Sequence, residues 1–291
     1  MSEALLVAEN LTKDYGSFRA LADLTLSVAP GEVVGLLGPN GSGKSTALRL
    51  MLGFLQPTRG RVSIGGFDCW AQSVEARKRV AYLPGELRLY DTMTGRRLVT
   101  FLSNLRGETP GQEVEALAKK LDIDIDRPLT HMSSGMKRKV ALLAVLVPQV
   151  PLIILDEPTN TLDPTMRDEL LDQLKGAKAR GQAVLFSSHV LHEVETVCDR
   201  VAVLRRGELV HVQHMDELRE GRAVSARLTG PAPAIGPDDT PLDTAALAAG
   251  RLQMTFRGPL PTLLDWLAKQ PVADLVIEPQ GLGPIYKKFH G

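Results

Sequence analysis

Apolar and polar positions change period several times along the chain, and each change marks a new element. Residues 5–11 and 24–28 read as short strands on either side of Tyr15-Gly16-Ser17-Phe18. Ala29-Pro30-Gly31 turns the chain into the run Glu32-Val33-Val34-Gly35-Leu36-Leu37, and residues 47–52 follow with helical spacing. Past the turn cluster Gln56-Pro57-Thr58-Arg59-Gly60, residues 61–64 alternate as a strand, and the apolar strand Val80-Ala81-Tyr82-Leu83 stops at Pro84-Gly85. Leu98, Phe101, Leu102 and Leu105 then recur at helical intervals, as do Val114, Leu117, Ala118 and Leu121, so residues 88–147 are expected to form a helical insert. Leu152-Ile153-Ile154-Leu155 is a continuous apolar strand, the pattern of a sheet covered on both faces, and residues 183–186 repeat it. From residue 221 the composition shifts: Pro231, Pro233, Pro237 and Pro241 crowd a polar linker between strands at 223–228 and 251–256, followed by a helix at 262–269 and a strand at 272–277. The expected division is therefore 1–220 and 221–291, with a small α+β unit in second place.

Composition narrows this picture without redirecting it. Across 291 residues, 44% hydrophobic and 23% charged positions describe an ordinary globular chain. The 34 basic and 34 acidic residues balance, and no Lys/Arg block is long enough for a nucleic-acid footprint, so nucleic acid is not expected as a partner. Cys69 and Cys198 are far apart, which suggests neither a disulfide framework nor a metal cluster and fits a reducing cytoplasm. Met1-Ser2-Glu3 and the short apolar run after it do not make a signal peptide, and the apolar stretch at 140–147 is far below the ~18–20 residues of a membrane span.

The chemistry begins at Gly38-Pro39-Asn40-Gly41-Ser42-Gly43-Lys44-Ser45-Thr46, which fits the phosphate-cradling pattern G-x-x-x-x-G-K-[ST] between a strand and a helix. Its glycines let successive N–H groups turn toward phosphate oxygens, Lys44 reaches the β- and γ-phosphates, and the Ser45 hydroxyl is placed for Mg²⁺. A nucleoside triphosphate is the expected ligand. Asp156 and Glu157 close the 152–155 strand at its C-terminal edge, where ligands bind in open parallel sheets. There Asp156 meets Mg²⁺, and Glu157 is free to polarise a water against the γ-phosphate. Four places in the chain carry two readings each. Tyr15 is either a packed surface residue or a face for adenine, and Ser133-Ser134-Gly135 is either an ordinary helix cap or a second anion site. His189, at the end of the 183–186 strand, is a surface histidine or a phosphate contact, and Asp163 is a cap or part of the site.

Taken in order, the phosphate loop, Met132-Ser133-Ser134-Gly135-Met136, Asp156-Glu157, Asp163 and His189 resemble the ATP-binding subunit of an ABC transporter over residues 3–215. The resemblance implies a P-loop NTPase core with an N-terminal antiparallel β subdomain, a helical insert and ATP hydrolysis with Mg²⁺. It implies further that two copies sandwich ATP, each phosphate loop facing the other copy's Ser133-Ser134-Gly135. Tyr15 would then stack adenine, His189 hold the γ-phosphate and Asp163 couple the two sites. The implied partner is an integral membrane permease, which would place the chain on the inner face of the cell membrane. The closing segment from Ile277 to Phe289 is similar to that of exporters of the ABC-2 type. An alternative is a soluble ABC ATPase acting on ribosomes or DNA. Where the family carries a glutamine after the 80–83 strand this chain has Gly85, and the neighbouring Glu86 is either solvated or the replacement metal contact.

Overall fold

The structure, a computed structural model, describes residues 4–89, 92–237 and 250–290. Of the positions read above, Met1, Ser2, Glu3 and Pro241 lie outside them. The chain divides into two compact units, Met1–Val212 and Gln213–Gly291.

The first unit opens on a hairpin, β1 (Leu6–Tyr15) and β2 (Phe18–Val28), followed by β3 (Val33–Leu37) and α1 (Lys44–Met51). Next come β4 (Arg59–Ile64), β5 (Phe67–Asp68), α2 (Ser73–Arg77) and β6 (Val80–Leu83). The helices α3 (Gly95–Leu105), α4 (Glu113–Lys120) and α5 (Ser134–Leu146) fill the interval up to β7 (Leu152–Asp156). The unit continues with α6 (Pro164–Ala179), β8 (Ala183–Ser188), α7 (Leu191–Val197), β9 (Arg200–Arg205) and β10 (Glu208–His214). All ten strands join one sheet in the order β5-β4-β1-β2-β10-β9-β3-β8-β7-β6.

Pairing splits that sheet in two. Strands β1, β2, β4 and β5 are antiparallel, whereas β9, β3, β8, β7 and β6 run parallel. The strands that read as continuous apolar runs are the central parallel ones: every residue of β3, β7 and β8 is buried. Helices on each face account for that burial, since a parallel sheet needs crossovers that cover it. Leu48, Leu50 and Met51 of α1 pack with Leu36, Ile154, Leu185 and Ala202 of the sheet, while Leu98, Leu129, Met132 and Val140 form a separate apolar cluster within the helical insert. Strand β2 begins six residues before the expected start at Leu24, because Phe18-Arg19 pair with β1 through hairpin hydrogen bonding rather than through an alternating pattern. The result is the α/β architecture expected, with its antiparallel β subdomain and helical insert.

The second unit holds α8 (Met215–Glu220), β11 (Gly221–Leu228), β12 (Arg251–Arg257), α9 (Leu260–Leu267), β13 (Val272–Pro279) and α10 (Gly283–His290). Its antiparallel sheet has the order β12-β11-β13, and Leu263 and Leu267 of α9 pack on Val224, Ala226, Leu252 and Phe256. The unit starts earlier than the change in composition near 221, because α8 buries Met215 and Leu218 and packs against β11 and β13.

Candidate functional site

Register puts the site together. Leu37 pairs with Ser188, Asp156 with Ser187, and Leu83 with Leu155, so β3, β8, β7 and β6 end side by side. The segments that leave those ends carry Gly38, His189, Glu157 and Gly85 to one edge of the sheet. Sequence patterns place residues on strands; only the parallel register aligns four strand ends as far apart in the chain as Leu37 and Ser188.

Residues 38–43 wrap from β3 into α1. Gly43 is the N-cap of α1 with φ +106°, a conformation that strains any residue with a side chain, and a Cβ there would lie 3.0 Å from the Ala20 carbonyl oxygen. The loop borders a cavity of about 290 Å³ lined by residues 40–46 together with Phe18, Ala20 and Glu157. Inside it the Ser42 hydroxyl is buried and has no hydrogen-bond partner. A buried hydroxyl left unpaired at a helix N-terminus suits a ligand that supplies acceptor oxygens. Lys44, 6% exposed, donates to the Gly38 carbonyl at 2.7 Å and the Pro39 carbonyl at 3.2 Å. Its Nζ also lies 3.2 Å from Glu157 Oε1, close enough for charge pairing although no hydrogen bond forms between them.

Glu157 is held from several sides. Its Oε2 is 2.8 Å from His189 Nδ1, and its N–H donates to the Ser187 hydroxyl at 2.9 Å. That hydroxyl donates in turn to Asp156 Oδ1 at 2.6 Å, so Ser187 ties both carboxylate residues to β8. Asp156 is 3% exposed, and Glu157 has φ +48°, the left-handed region in which a residue with a side chain is strained. Burial pushes the Tyr82 hydroxyl up to about 12, with the charge of Asp156 adding to the effect. No cluster of three or more His, Cys, Asp or Glu side chains able to hold a metal occurs among the described residues. Ser45 and Asp156 nevertheless offer hard oxygen donors of the kind that Mg²⁺ takes when phosphates and water complete its shell.

The structure thus gathers the loop from Gly38 to Thr46 with Asp156, Glu157 and His189. It does not bring the remaining candidates onto the same cavity within one chain. Tyr15 is 49% exposed at the β1–β2 hairpin tip, with Lys13 Nζ 5.1 Å from its ring centre, and the aromatic that lines the cavity is its hairpin partner Phe18. Ser133 and Ser134 are exposed at the start of α5, where the Ser133 hydroxyl accepts from the Met136 N–H at 3.3 Å. Asp163 caps α6, accepting from the Met166 N–H at 3.0 Å. Glu86 is exposed and makes no hydrogen bond or ion pair among the described residues, while a Cβ at Gly85 would sit 3.2 Å from Asp156 Oδ2.

Three residues of the site escaped sequence reasoning. Phe18 and Ser187 stood beside candidates already chosen, as the turn mate of Tyr15 and the lead into His189. Arg138 sits in the basic run Lys137-Arg138-Lys139, a pattern that reads as a solvated helix face, yet it is 3% exposed behind Asp156 and Glu157.

Residues 21–160 match the ABC transporter family. The chain is 32% identical over 213 residues to the linearmycin resistance ATP-binding protein LnrL of Bacillus subtilis (strain 168), covering 72% of this chain and 68% of that one. It is 35% identical over 216 residues to the Nod factor export ATP-binding protein I of Burkholderia orbicola (strain AU 1054), covering 72% and 71%. Among solved structures, an ATP binding subunit of an ABC transporter superposes with a TM-score of 0.69 at 31% identity, over 74% of this chain and 92% of its own. A bacterial ABC transporter cassette solved as a dimer shares the fold, with a TM-score of 0.66 at 24% identity over 72% and 98%. With the phosphate loop, Asp156 and Glu157 assembled on one sheet edge, the chain belongs to the ABC transporter family as an ATP-binding subunit and is an ATPase.

Proposed function

We propose that two copies of this chain close around two ATP molecules with Mg²⁺, and that the resulting motion drives a separate membrane permease that exports its cargo. The observation that carries this reading is Glu157, fixed beside the phosphate loop by His189 at 2.8 Å and facing Lys44 at 3.2 Å. In this arrangement Glu157 takes the proton from the water that attacks the γ-phosphate, His189 holds the γ-phosphate, and Lys44 leaves the Gly38 and Pro39 carbonyls for the β- and γ-oxygens. The backbone from Gly38 to Thr46 cradles the phosphates, with Tyr15 and Phe18 as the aromatic edge for adenine. Ser45 and Asp156 would hold Mg²⁺, which would neutralise charge on the phosphates when bound.

The make-up of the cavity wall supports the second copy. The cavity is lined by Phe18, Ala20, residues 40–46 and Glu157, and none of Ser133, Ser134, Gly135 and Asp163 reaches it, so in this reading one chain supplies one wall. Ser133, Ser134 and Gly135 at the start of α5, together with Asp163, furnish the opposite wall from the partner copy. No helix among the described residues is long and apolar enough to cross a membrane; in this reading the cargo path belongs to the permease, and the chain sits at the inner membrane face through it. The export and resistance roles in the names of its relatives support an exporter.

Glu157→Gln tests the assignment because it keeps the shape of the side chain and removes the proton acceptor. Loss of general-base help typically costs ~10²–10⁴-fold in rate. Turnover of ATP by the purified variant should fall by that range while ATP-bound dimers accumulate on gel filtration. Wild-type turnover by Glu157→Gln would sink it.

A further inference from the structure

Arg138 is the most heavily committed side chain near the site, and it touches none of the atoms that react. A guanidinium carries five N–H donors in a rigid fork. Here all five find backbone carbonyls: Nε donates to Pro158 at 3.2 Å, Nη1 to Pro84 at 3.0 Å and Gly85 at 2.9 Å, and Nη2 to Asp156 at 3.0 Å and to Glu157. Three of these carbonyls belong to successive residues of the turn that carries Glu157. The other two belong to the loop that leaves β6 beside Asp156. The side chain itself comes from α5, one turn beyond the Ser133 cap.

Such a residue needs a physical reason. Burying a cation without a carboxylate partner is costly, and burial does lower the affinity of this guanidinium for its proton, against the pull of Asp156 and Glu157. A left-handed non-glycine residue such as Glu157 is strained and persists only where its surroundings over-determine it. Bonds to the carbonyls of residues 156, 157 and 158 provide that determination. Gly85 has no side chain with which to reach Asp156, so its loop is joined to the carboxylate turn through backbone carbonyls that share one guanidinium.

We propose that Arg138 is a positioning residue for hydrolysis, locking the Glu157 turn and the Pro84–Gly85 loop into one arrangement governed by α5. This rests on Glu157 being the proton acceptor. It follows that any displacement of α5 is felt at Glu157 and at the β6 loop together. Lysine does not replace this device, because a single ammonium with three donors cannot span five carbonyls on two segments.

The experiment uses the full-length chain and compares wild type, Arg138→Lys, Arg138→Met and a neighbouring control, Lys139→Met. Misplacing a reacting group by about 1 Å costs on the order of 10²-fold, so kcat should fall by that order in Arg138→Met. A smaller fall is expected in Arg138→Lys, with KM for ATP within about twofold of wild type in both. Amide exchange read by mass spectrometry should accelerate together at Gly85 and Glu86 and at the non-proline residues of 156–160, and stay unchanged at the non-proline residues of 38–46. Lys139→Met should match wild type in every readout. Unchanged kcat overturns the proposal even if both segments loosen, since the clamp would then be structural only. Faster exchange in one segment alone, or a rise in KM that accounts for the whole loss, overturns it too. If Arg138→Met does not fold, Arg138→Lys decides by the same criteria. Failure of the Glu157 assignment is told apart by Glu157→Gln, whose normal turnover would leave the exchange pattern of the Arg138 variants intact.

Discussion

Glu157 combines three roles in one side chain: it faces the phosphate loop, pairs with a histidine and tolerates a strained backbone. Ser187 supports the other half of the carboxylate pair, and its role is open to direct measurement. Ser187→Ala strips a donor from Asp156 Oδ1 and an acceptor from the Glu157 N–H. Leaving such buried groups unpaired costs about 1–3 kcal/mol, which should appear as a lower urea midpoint with an unchanged slope. A second measurement concerns high pH. Burial first, then the charge of Asp68, pushes the Cys69 thiol from 9.0 up to about 12, and burial with Asp156 likewise takes the Tyr82 hydroxyl from 10.0 to about 12. Both groups keep their protons in the folded protein at pH values where the unfolded chain releases them. Their contribution is therefore whole below pH 9 and is lost as pH rises toward 12. The melting temperature should decline from pH 9 upward, less steeply in Cys69→Ala, and a flat profile would contradict the burial of these groups.

Secondary elements bring such residues to the same edge, and their ends matter more than their middles. Asp163 caps α6 through the Met166 N–H, and Pro164 fits the first helical turn, where no N–H is needed. Asp163→Ala should cost ~0.5–2 kcal/mol in thermal or denaturant unfolding, whereas Asp163→Asn, also a good cap, should stay close to wild type. Equal losses for both would mean that the charge, rather than the capping bond, stabilises the helix. Strands β7 and β8 were legible in advance because burial on both faces leaves an unbroken apolar run. The start of β2 was not, since hairpin pairing at Phe18-Arg19 rather than alternation defines it. Helix α5 was legible as a helix but not as the carrier of Arg138, because a basic run looks the same whether it faces solvent or a cage of carbonyls.

For the assembly as a whole, the separation of Ser133-Ser134-Gly135 from the 38–46 cavity within one chain predicts shared sites. A Ser133→Arg chain keeps Lys44, and a Lys44→Ala chain keeps Ser133. Their heterodimer would hold one site built from two intact walls and one built from two damaged walls. Mixing the two inactive proteins should restore part of the ATPase rate, above that of either alone. No recovery, with heterodimers shown by native mass spectrometry, would count against sites shared between copies.

Local chemistry was written in the residue order. Gly38 to Thr46 can be read as a phosphate loop because its glycines, lysine and serine act through adjacent backbone, and Asp156-Glu157 as a strand-end pair because the apolar run before them ends abruptly. The two-unit composition and the resemblance to ABC ATP-binding subunits were equally open to reading, as motif order survives in one dimension. Long-range register belongs to the fold. Ser187 under both carboxylate residues, His189 against Glu157, Phe18 rather than Tyr15 on the cavity wall, and Arg138 within its five carbonyls all depend on strands and a helix far apart in the chain. The physical reason is that a side chain's type limits which partners it can take, while packing of the sheet and α5 decides which of them stand within hydrogen-bond reach.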